Sequence, residues 1–222
     1  MLVLFDIDGT LLHGRPEGHT RAMVDAMARV WSVPVAPDDV WGIDPAGRTD
    51  REIARLVLRG HGVGDAQIDA GIAEWIILAG DLHERVARDH PSPVAAPDAL
   101  AVTAEIVDGG AEIALLTGNL ERIGRAKVAA AGLGDRFGPG GGFGSDAERR
   151  SDLVGVAMSR AARSHAHDDV VIVGDTPRDI AAAREAGVRV VAVTTGAFGA
   201  QELSAADGVA DGLVGALALI GG

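Results

Sequence analysis

Short, mostly apolar runs alternate with longer segments of helical periodicity along the chain. The runs are LVLF (2–5), EIALL (112–116), VVIVG (170–174) and VRVVAV (188–193). Apolar runs rich in β-branched residues are typical of parallel strands that are covered on both faces of a sheet. Predicted helices lie between or after them, over about 98–108, 119–131, 147–164 and 177–186. The alternation predicts an α/β fold with a doubly wound, Rossmann-like parallel sheet.

One long segment after the first strand departs from this alternation, because its apolar residues recur with helical spacing throughout. The clearest examples are TRAMVDAMARVW (20–31) and DREIARLVLRGHG (50–62). Gly14-Arg15-Pro16 precedes the segment, and the proline-rich stretch HPSPVAAP (90–97) follows it. Prolines stiffen such connections and cannot continue a helix. We therefore expect a helical cap domain over 15–90, inserted into a core domain formed by 1–14 and 91–222.

A glycine-rich run, GPGGGFG (138–144), lies ahead of the helix predicted over 147–164. It lacks the lysine and the hydroxyl residue of a phosphate-binding P-loop. We interpret it as an irregular connection.

The composition is that of a folded protein and excludes several classes of function. Hydrophobic residues make up 47% of the 222 residues, and the net charge of −12 argues against a nucleic acid or an anionic membrane as partner. The absence of cysteine excludes disulfides, thiolate catalysis and cysteine-ligated zinc. Because we find no signal-peptide pattern at the start and no apolar run long enough to span a membrane, we expect a cytoplasmic protein.

Polar residues follow three of the predicted strands. They are Asp6 and Asp8 in FDIDGT (5–10), Thr117 and Asn119 in LLTGN (115–119), and Asp175 in VVIVGDTPRDI (170–180). Ligands of doubly wound sheets bind in a crevice beyond the carboxyl ends of the strands. We therefore expect these side chains to converge.

The carboxylates of Asp6 and Asp8 pose an electrostatic problem. Their spacing sends both side chains to roughly the same side of the strand, where two negative charges repel each other. A divalent cation such as Mg²⁺ would allow Asp6 to stay ionised and act as a nucleophile, while Asp8 transfers protons. The alternative is a simple strand-to-turn connection, in which Asp8 and Gly9 only form the turn.

The second strand end offers an anion site. Thr117 and the backbone N–H groups of Gly118 and Asn119 lie at the predicted start of a helix, where anions bind readily. The alternative is that Thr117 or Asn119 only caps this helix.

The third strand end adds acidic groups. Asp175 could complete a metal site, with Asp179 orienting it. For Asp179 the alternative is an ordinary helix start, since the TPRD stretch (176–179) has a hydroxyl N-cap, a proline at N1 and an acidic residue at N3.

The order DIDGT, LLTGN, VGDTPRD resembles the haloacid dehalogenase superfamily, specifically its phosphoglycolate-phosphatase-like branch with a helical cap, over essentially the whole chain. The resemblance implies that Asp6 is phosphorylated and that Asp8 is the acid/base. It implies Mg²⁺ bound by the side chains of Asp6 and Asp175 and by the backbone carbonyl of Asp8, with Asp179 in support. It also implies that the phosphoryl oxygens are held by Thr117, Gly118 and Asn119.

The family also needs a cation near the nucleophile, commonly a lysine. The only lysine, Lys127, follows Thr117 by ten residues, about three helical turns, and is expected to lie too far from the crevice. SDAERRSDL (145–153) resembles a phosphatase stretch that reads FGSD…R…L, and the spacing to Leu153 selects Arg150 over Arg149. A guanidinium can hold phosphate through two hydrogen bonds. Arg150 is therefore the expected phosphate-binding cation, with Lys127 as the alternative.

Arg48 is the candidate for substrate specificity. It belongs to AGRTD (46–50), which resembles the cap loop that faces the active site in this branch, and it could bind a second anionic group such as a carboxylate. The alternative is structural: Thr49 and Glu52 form a capping box and Arg48 is solvent-exposed.

These features predict a Mg²⁺-dependent phosphatase that hydrolyses a small phosphorylated metabolite, a phosphoglycolate-like phosphomonoester, through an aspartyl-phosphate on Asp6. Asp8 argues against a dehalogenase, and the lack of lysine in the cap argues against a phosphonatase. Two alternatives stay open: a sugar phosphomutase of the same superfamily, and a phospho-acceptor or binding protein without turnover. A cap helix could pair two subunits into a homodimer.

Overall fold

The chain forms a parallel sheet with helices on both faces. The structure is a computed structural model that describes residues 1–14, 17–87, 89–90 and 93–221. Its strands are β1 (Leu2–Phe5), β2 (Leu12–His13), β3 (Val94–Ala95), β4 (Glu112–Thr117), β5 (Gly142–Phe143), β6 (Val170–Gly174), β7 (Arg189–Val193) and β8 (Gly208–Ala210). The order across the six-stranded sheet is β5-β4-β1-β6-β7-β8, and its strands are parallel. The predicted doubly wound α/β fold is confirmed. Strands β2 and β3 pair separately in an antiparallel ribbon.

The helices alternate with the strands of the main sheet after residue 93. The helices of the described residues are α1 (Glu17–Trp31), α2 (Pro37–Trp41), α3 (Asp50–Gly60), α4 (Asp65–Val86), α5 (Ala99–Asp108), α6 (Glu121–Ala130), α7 (Arg150–Ser159), α8 (Pro177–Ala186) and α9 (Leu213–Ile220). The helix predicted over 147–164 is shorter at both ends. At its start, the carboxylate of Asp146 accepts a hydrogen bond from the Phe143 backbone N–H (2.9 Å) and closes a turn instead.

The glycine-rich run at 138–144 is not wholly irregular, so this interpretation is wrong in part. Gly142 and Phe143 form the edge strand β5, which pairs with Leu116 and Thr117 of β4. A Cβ atom on Gly142 would lie 2.3 Å from the Leu153 carbonyl oxygen. Glycine is therefore required here by the close packing of α7 against the edge strand.

Two hydrophobic layers, one on each face of the sheet, explain the unbroken apolar runs. Along β1, Val3 and Phe5 contribute to one layer, while Leu2 and Leu4 contribute to the other, and all four are fully buried. Successive strand residues point to opposite faces, so a strand covered on both sides must be apolar throughout.

Helices α1 to α4, together with Leu120 and Ile123 at the start of α6, build a third hydrophobic cluster. Trp75, Met27 and Leu58 are fully buried within it, and the Trp75 indole N–H donates a hydrogen bond to the Met23 carbonyl oxygen (3.2 Å). None of the helices in the described part of the chain combines the length and hydrophobicity needed to span a bilayer. The predicted boundaries of the helical domain include Arg15, Pro16, Pro91 and Ser92, which lie outside the described residues. The division into domains stays a prediction.

Candidate active site

The carboxyl ends of β1, β4 and β6 open into one cavity of about 320 Å³. Asp6 and Asp8 follow β1, Thr117 ends β4 and Asp175 follows β6, and all four line the cavity. Strand β1 lies between β4 and β6, where the chain reverses its order across the sheet. Such switch points are the usual ligand sites of open α/β sheets. Gly118, Asn119, Arg150 and Arg48 also line the cavity.

Tight backbone packing holds Asp175 beside the turn that follows β1. The Thr10 hydroxyl donates a hydrogen bond to Asp175 Oδ1 (3.1 Å). Gly9 has a φ of +86°, and a Cβ atom there would lie 2.3 Å from Asp175 Oδ2. Glycine thus allows both the left-handed turn and the approach of the carboxylate.

Three buried carboxylates share this end of the cavity. Oxygen atoms of Asp6, Asp175 and Asp179 all lie within 4.8 Å of one another. Burial raises the pKa of Asp6 to about 6, although Arg150 opposes the rise. Burial, with the neighbouring charges of Asp6 and Asp179, raises the pKa of Asp175 to about 8. The three carboxylates lack enough positive charge around them. Their oxygen atoms are the ligands that a hard divalent cation prefers.

Asp179 has partners on both of its oxygens. Oδ2 accepts hydrogen bonds from the Thr176 backbone N–H (3.0 Å) and hydroxyl (2.7 Å), and the Thr176 hydroxyl accepts one from the Asp179 N–H (3.2 Å). The predicted helix start is therefore present as a reciprocal capping box. Oδ1 accepts from Arg150 (3.0 Å to Nε and 2.5 Å to Nη2). These contacts suit a residue that supports the site rather than one that binds substrate.

Arg150 contacts both Asp6, the candidate nucleophile, and the backbone of the helical segment. The side chain is buried, and its Nη2 atom lies 3.1 Å from Asp6 Oδ1. Its Nη1 atom donates a hydrogen bond to the Gly47 carbonyl oxygen (3.1 Å). The predicted cation is thus in the cavity beside Asp6.

Lys127 is also at the site, and the expectation that it lies too far away is wrong. Its ammonium is 2.5 Å from both carboxylate oxygens of Asp8 and 2.8 Å from Asn119 Oδ1. The distance along α6 was misleading because Asp8 lies beside this helix, and helical side chains point back towards the N-terminus. Burial acts to raise the pKa of Asp8, but Lys127, together with His19 and Asn119, outweighs it and lowers that pKa.

Neither Thr117 nor Asn119 caps α6, so this alternative is wrong. The helix begins at Glu121, and the backbone N–H of Leu120 donates to Asp50 Oδ2 (2.7 Å). The Asn119 amide instead donates to Asp8 Oδ2 (2.9 Å) and to the Thr117 hydroxyl (2.8 Å). Asn119 therefore ties the β4 end of the cavity to the β1 end.

The loop before α3 lies directly on the core. The Asp50 N–H donates to the Gly118 carbonyl oxygen (2.7 Å), and the Thr49 hydroxyl donates to the Glu148 carbonyl oxygen (2.6 Å). Arg178 donates to the carbonyl oxygen of Ala46. These hydrogen bonds hold the loop across the mouth of the cavity.

Arg48 lies in this loop with its charge already paired. Its guanidinium contacts Glu52 and donates from Nε to the Asp44 carbonyl oxygen (3.0 Å). Thr49 caps α3 as expected, accepting from the Glu52 N–H (3.1 Å), but the Glu52 carboxylate turns to Arg48 instead of completing the capping box. The alternative of a solvent-exposed Arg48 is wrong, since its side chain is only 21% exposed.

Sequence reasoning missed two groups of cavity residues. His19 and Asp50 form a buried pair (Nε2 to Oδ2, 2.9 Å), and an apolar wall comes from α1 to α3. Helical periodicity placed the wall residues on buried faces, but it cannot tell a face that lines a cavity from one that packs in a core. His19 stands alone in the sequence, with no motif to mark it.

Comparison with known proteins places the chain in a family. The model of the haloacid dehalogenase-like hydrolases matches residues 1–187. The chain is 28% identical over 205 residues to a phosphoglycolate phosphatase of Rhodospirillum rubrum, covering 87% of this chain and 79% of that protein. It is 28% identical over 203 residues to phosphoglycolate phosphatase 1 of Pseudomonas aeruginosa, covering 88% of this chain and 70% of that protein.

Solved structures share the fold. A predicted phosphatase from Clostridium acetobutylicum superposes with a TM-score of 0.70 at 16% identity, covering 99% of this chain and 97% of that one. CbbY from Rhodobacter sphaeroides, in complex with phosphate, superposes with a TM-score of 0.67 at 19% identity, covering 96% of this chain and 94% of that one. Because the family model covers most of the sequence, the chain belongs to the haloacid dehalogenase-like hydrolases.

Proposed function

We propose that this hydrolase is a Mg²⁺-dependent phosphatase, a phosphoric monoester hydrolase that works through an aspartyl-phosphate on Asp6. Membership of the family and the likeness to two phosphoglycolate phosphatases support phosphomonoester hydrolysis. The observation that carries the proposal is the position of Asp6. Its buried carboxylate lies at the end of β1, 3.1 Å from Arg150 and in one cavity with Asp8 and Asp175.

The proposed reaction has two displacements at phosphorus. A carboxylate oxygen of Asp6 attacks, the bond from phosphorus to the alcohol oxygen breaks, and Asp8 gives its proton to the departing alcohol. Asp8 then takes a proton from water, the water oxygen attacks phosphorus, and the bond to Asp6 breaks to release inorganic phosphate. Lys127 favours the ionised Asp8 that the second step needs, whereas the arrival of a negatively charged phosphoryl group favours the protonated form that the first step needs.

Residues around Asp6 would bind the phosphoryl oxygens. Arg150, the Thr117 hydroxyl and the Gly118 backbone N–H line the cavity beside Asp6 and offer a cation and neutral donors. Fixed donors of this kind stabilise the charge of the transition state without having to reorganise. Asn119, whose amide donates to Asp8 and Thr117, would hold both groups in place next to the phosphate.

The side chains of Asp6 and Asp175 and the backbone carbonyl of Asp8 would hold Mg²⁺, with Asp179 supporting them. Burial and neighbouring carboxylates raise the pKa values of Asp6 and Asp175, and a positive charge at this position would offset both effects, which supports a cation there. When bound, Mg²⁺ supplies positive charge that neutralises phosphoryl oxygens.

We also propose that the helical segment 15–90 acts as a cap domain over the core of 1–14 and 91–222. Its helices contribute His19, Trp41 and Ile53 to the cavity, which supports a role in choosing the substrate. Because both relatives are named phosphoglycolate phosphatases, phosphoglycolate is the first compound to assay.

The test is release of inorganic phosphate from p-nitrophenyl phosphate and phosphorylated metabolites, with and without Mg²⁺. Asp6→Asn should lower kcat by on the order of 10³-fold or more, because it removes the nucleophile. Mass spectrometry of acid-quenched wild-type protein should find a phosphoryl group on Asp6. The matched control Asp168→Asn alters an exposed carboxylate and should keep full activity. Unchanged turnover in Asp6→Asn would refute the proposal.

A further inference from the structure

The cavity beside Asp6 extends under the helical segment, and its wall there is apolar. Met23 from α1, Val40 and Trp41 from α2 and Ile53 from α3 form this wall. Met23, Val40 and Ile53 are buried, whereas Trp41 keeps 44% of its surface exposed. An exposed indole at a cavity wall offers a flat surface that a ligand could cover.

Each basic side chain that lines the cavity, among the described residues, already has a carboxylate partner. Arg150 contacts Asp6 and Asp179, as described above. Arg48 is paired with Glu52, and His19 with Asp50. A carboxylate on the substrate would therefore meet only basic groups whose charge is already compensated.

The acidic side chains of the cavity would also oppose a second negative charge. The carboxylates in and around the cavity outnumber the basic groups that pair with them: Asp6, Asp8, Asp50, Glu52, Asp175 and Asp179 against Arg48, Arg150, Lys127 and His19. Like charges in a partly buried site repel strongly because water screens them poorly. The electrostatics therefore favour a leaving group without charge.

The size of the cavity fits a leaving group larger than glycolate. The loop before α3 is fixed to the core through Gly118, Glu148 and Arg150, so the cavity has a defined wall on this side. The cavity volume of about 320 Å³ lies at the lower end of the range of roughly 300–1,000 Å³ that holds small-molecule ligands. A phosphoryl group with two carbon atoms would leave much of it empty.

We propose that the substrate is a phosphomonoester of an uncharged alcohol whose flat apolar part packs against Trp41, rather than a phosphorylated carboxylic acid. The proposal rests on the phosphatase activity proposed above and names its substrate class. Trp41 is then a substrate-binding residue, and Arg48 shapes the loop instead of recognising a carboxylate.

The experiment compares three phosphomonoesters of primary alcohols: 2-phenylethyl phosphate, ethyl phosphate and 2-phosphoglycolate. We expect kcat/KM to be at least about tenfold higher for 2-phenylethyl phosphate than for the other two, equivalent to roughly 1.4 kcal/mol. Trp41→Ala should remove most of this preference by lowering kcat/KM for 2-phenylethyl phosphate. The control Ile77→Ala removes another exposed apolar side chain, on α4 (61% exposed). It should change neither the preference for 2-phenylethyl phosphate nor the kcat/KM for ethyl phosphate.

A second variant tests the charge argument. Glu52→Gln removes the negative partner of Arg48 and should raise kcat/KM for 2-phosphoglycolate by about tenfold, with 2-phenylethyl phosphate unchanged. A wild-type preference for 2-phosphoglycolate that Asp6→Asn abolishes would overturn the substrate class while keeping the phosphatase. Failure of the wild type to hydrolyse any of the three esters, or p-nitrophenyl phosphate, would overturn both.

Discussion

At the scale of single residues, two neighbouring arginines have opposite environments. Arg150 is buried against Asp6 and Asp179, while the side chain of Arg149 is 70% exposed and pairs with Glu185 on the surface. Sequence spacing alone cannot separate adjacent residues of the same type. The resemblance to the FGSD…R…L stretch selected Arg150, and the structure places it beside Asp6.

Replacing these arginines one at a time separates a buried charge from an exposed one. Arg150→Met leaves two buried carboxylates without their cation, so the free energy of unfolding should fall by about 3–5 kcal/mol. Arg149→Met should leave it nearly unchanged, because exposed ion pairs contribute little. Urea denaturation measures both. Equal losses in the two variants would contradict the view that Arg150 compensates Asp6 and Asp179.

Lys127 and His19 show where residue-scale prediction stops. Helix geometry gives the distance from Thr117 along α6, but it does not reveal that Asp8 lies beside that helix. The pairing of His19 with Asp50 likewise joins two helices whose packing no local pattern records. The contacts of a residue are predicted well where a local motif determines them. They are predicted poorly where tertiary packing determines them.

At the scale of elements, short pieces of backbone decide the shape of the site. The sequence predicts Thr49 as an N-cap, because a hydroxyl before a helix is local chemistry. It does not predict that the next residue, Asp50, bonds to Gly118 of the core. Strand β5 was missed for a related reason, since two residues carry no periodicity and pair only because β4 is beside them.

Gly47→Ala tests whether the position of this loop matters. Gly47 has a φ of +72°, and a Cβ atom would lie 2.4 Å from the Thr176 hydroxyl. The variant should shift the loop and lower kcat/KM by up to about 10²-fold, since small displacements disturb the aligned groups. The matched control is Gly155→Ala in α7, which has open space around it and should stabilise the protein by about 0.5–1 kcal/mol. Equal activity in both variants would show that the loop is not needed.

At the scale of the whole molecule, the main sheet follows from the sequence. Its long buried strands appear as apolar runs, and their parallel arrangement brings the polar residues at their ends together. The cavity wall could not be predicted in this way, because it depends on how four helices pack above the sheet. The proposed substrate class therefore rests on the structure, while the proposed chemistry of Asp6 rests on the sequence.

The charge of the molecule leads to a prediction about its thermal stability. The chain carries a net charge of −12, and Asp6, Asp175 and Asp179 add buried repulsion at one point. A ligand that binds only the folded state stabilises it by about 2.7 kcal/mol at a hundred times its Kd. For a chain of this length that free energy corresponds to a rise in Tm of about 5–10 °C.

Saturating Mg²⁺ should therefore raise the Tm of the wild type by about 5–10 °C, measured by circular dichroism against NaCl of equal ionic strength. The salt control is essential, because screening alone stabilises a protein with so high a net charge. Asp175→Asn should lose most of the Mg²⁺ effect, since the amide leaves one carboxylate fewer to attract the cation. Asp168→Asn removes one negative charge at the surface, and this variant should keep the Mg²⁺ effect on Tm. If Asp175→Asn responded to Mg²⁺ as fully as Asp168→Asn does, the stabilising ion would bind elsewhere, and Asp175 would have no part in holding it.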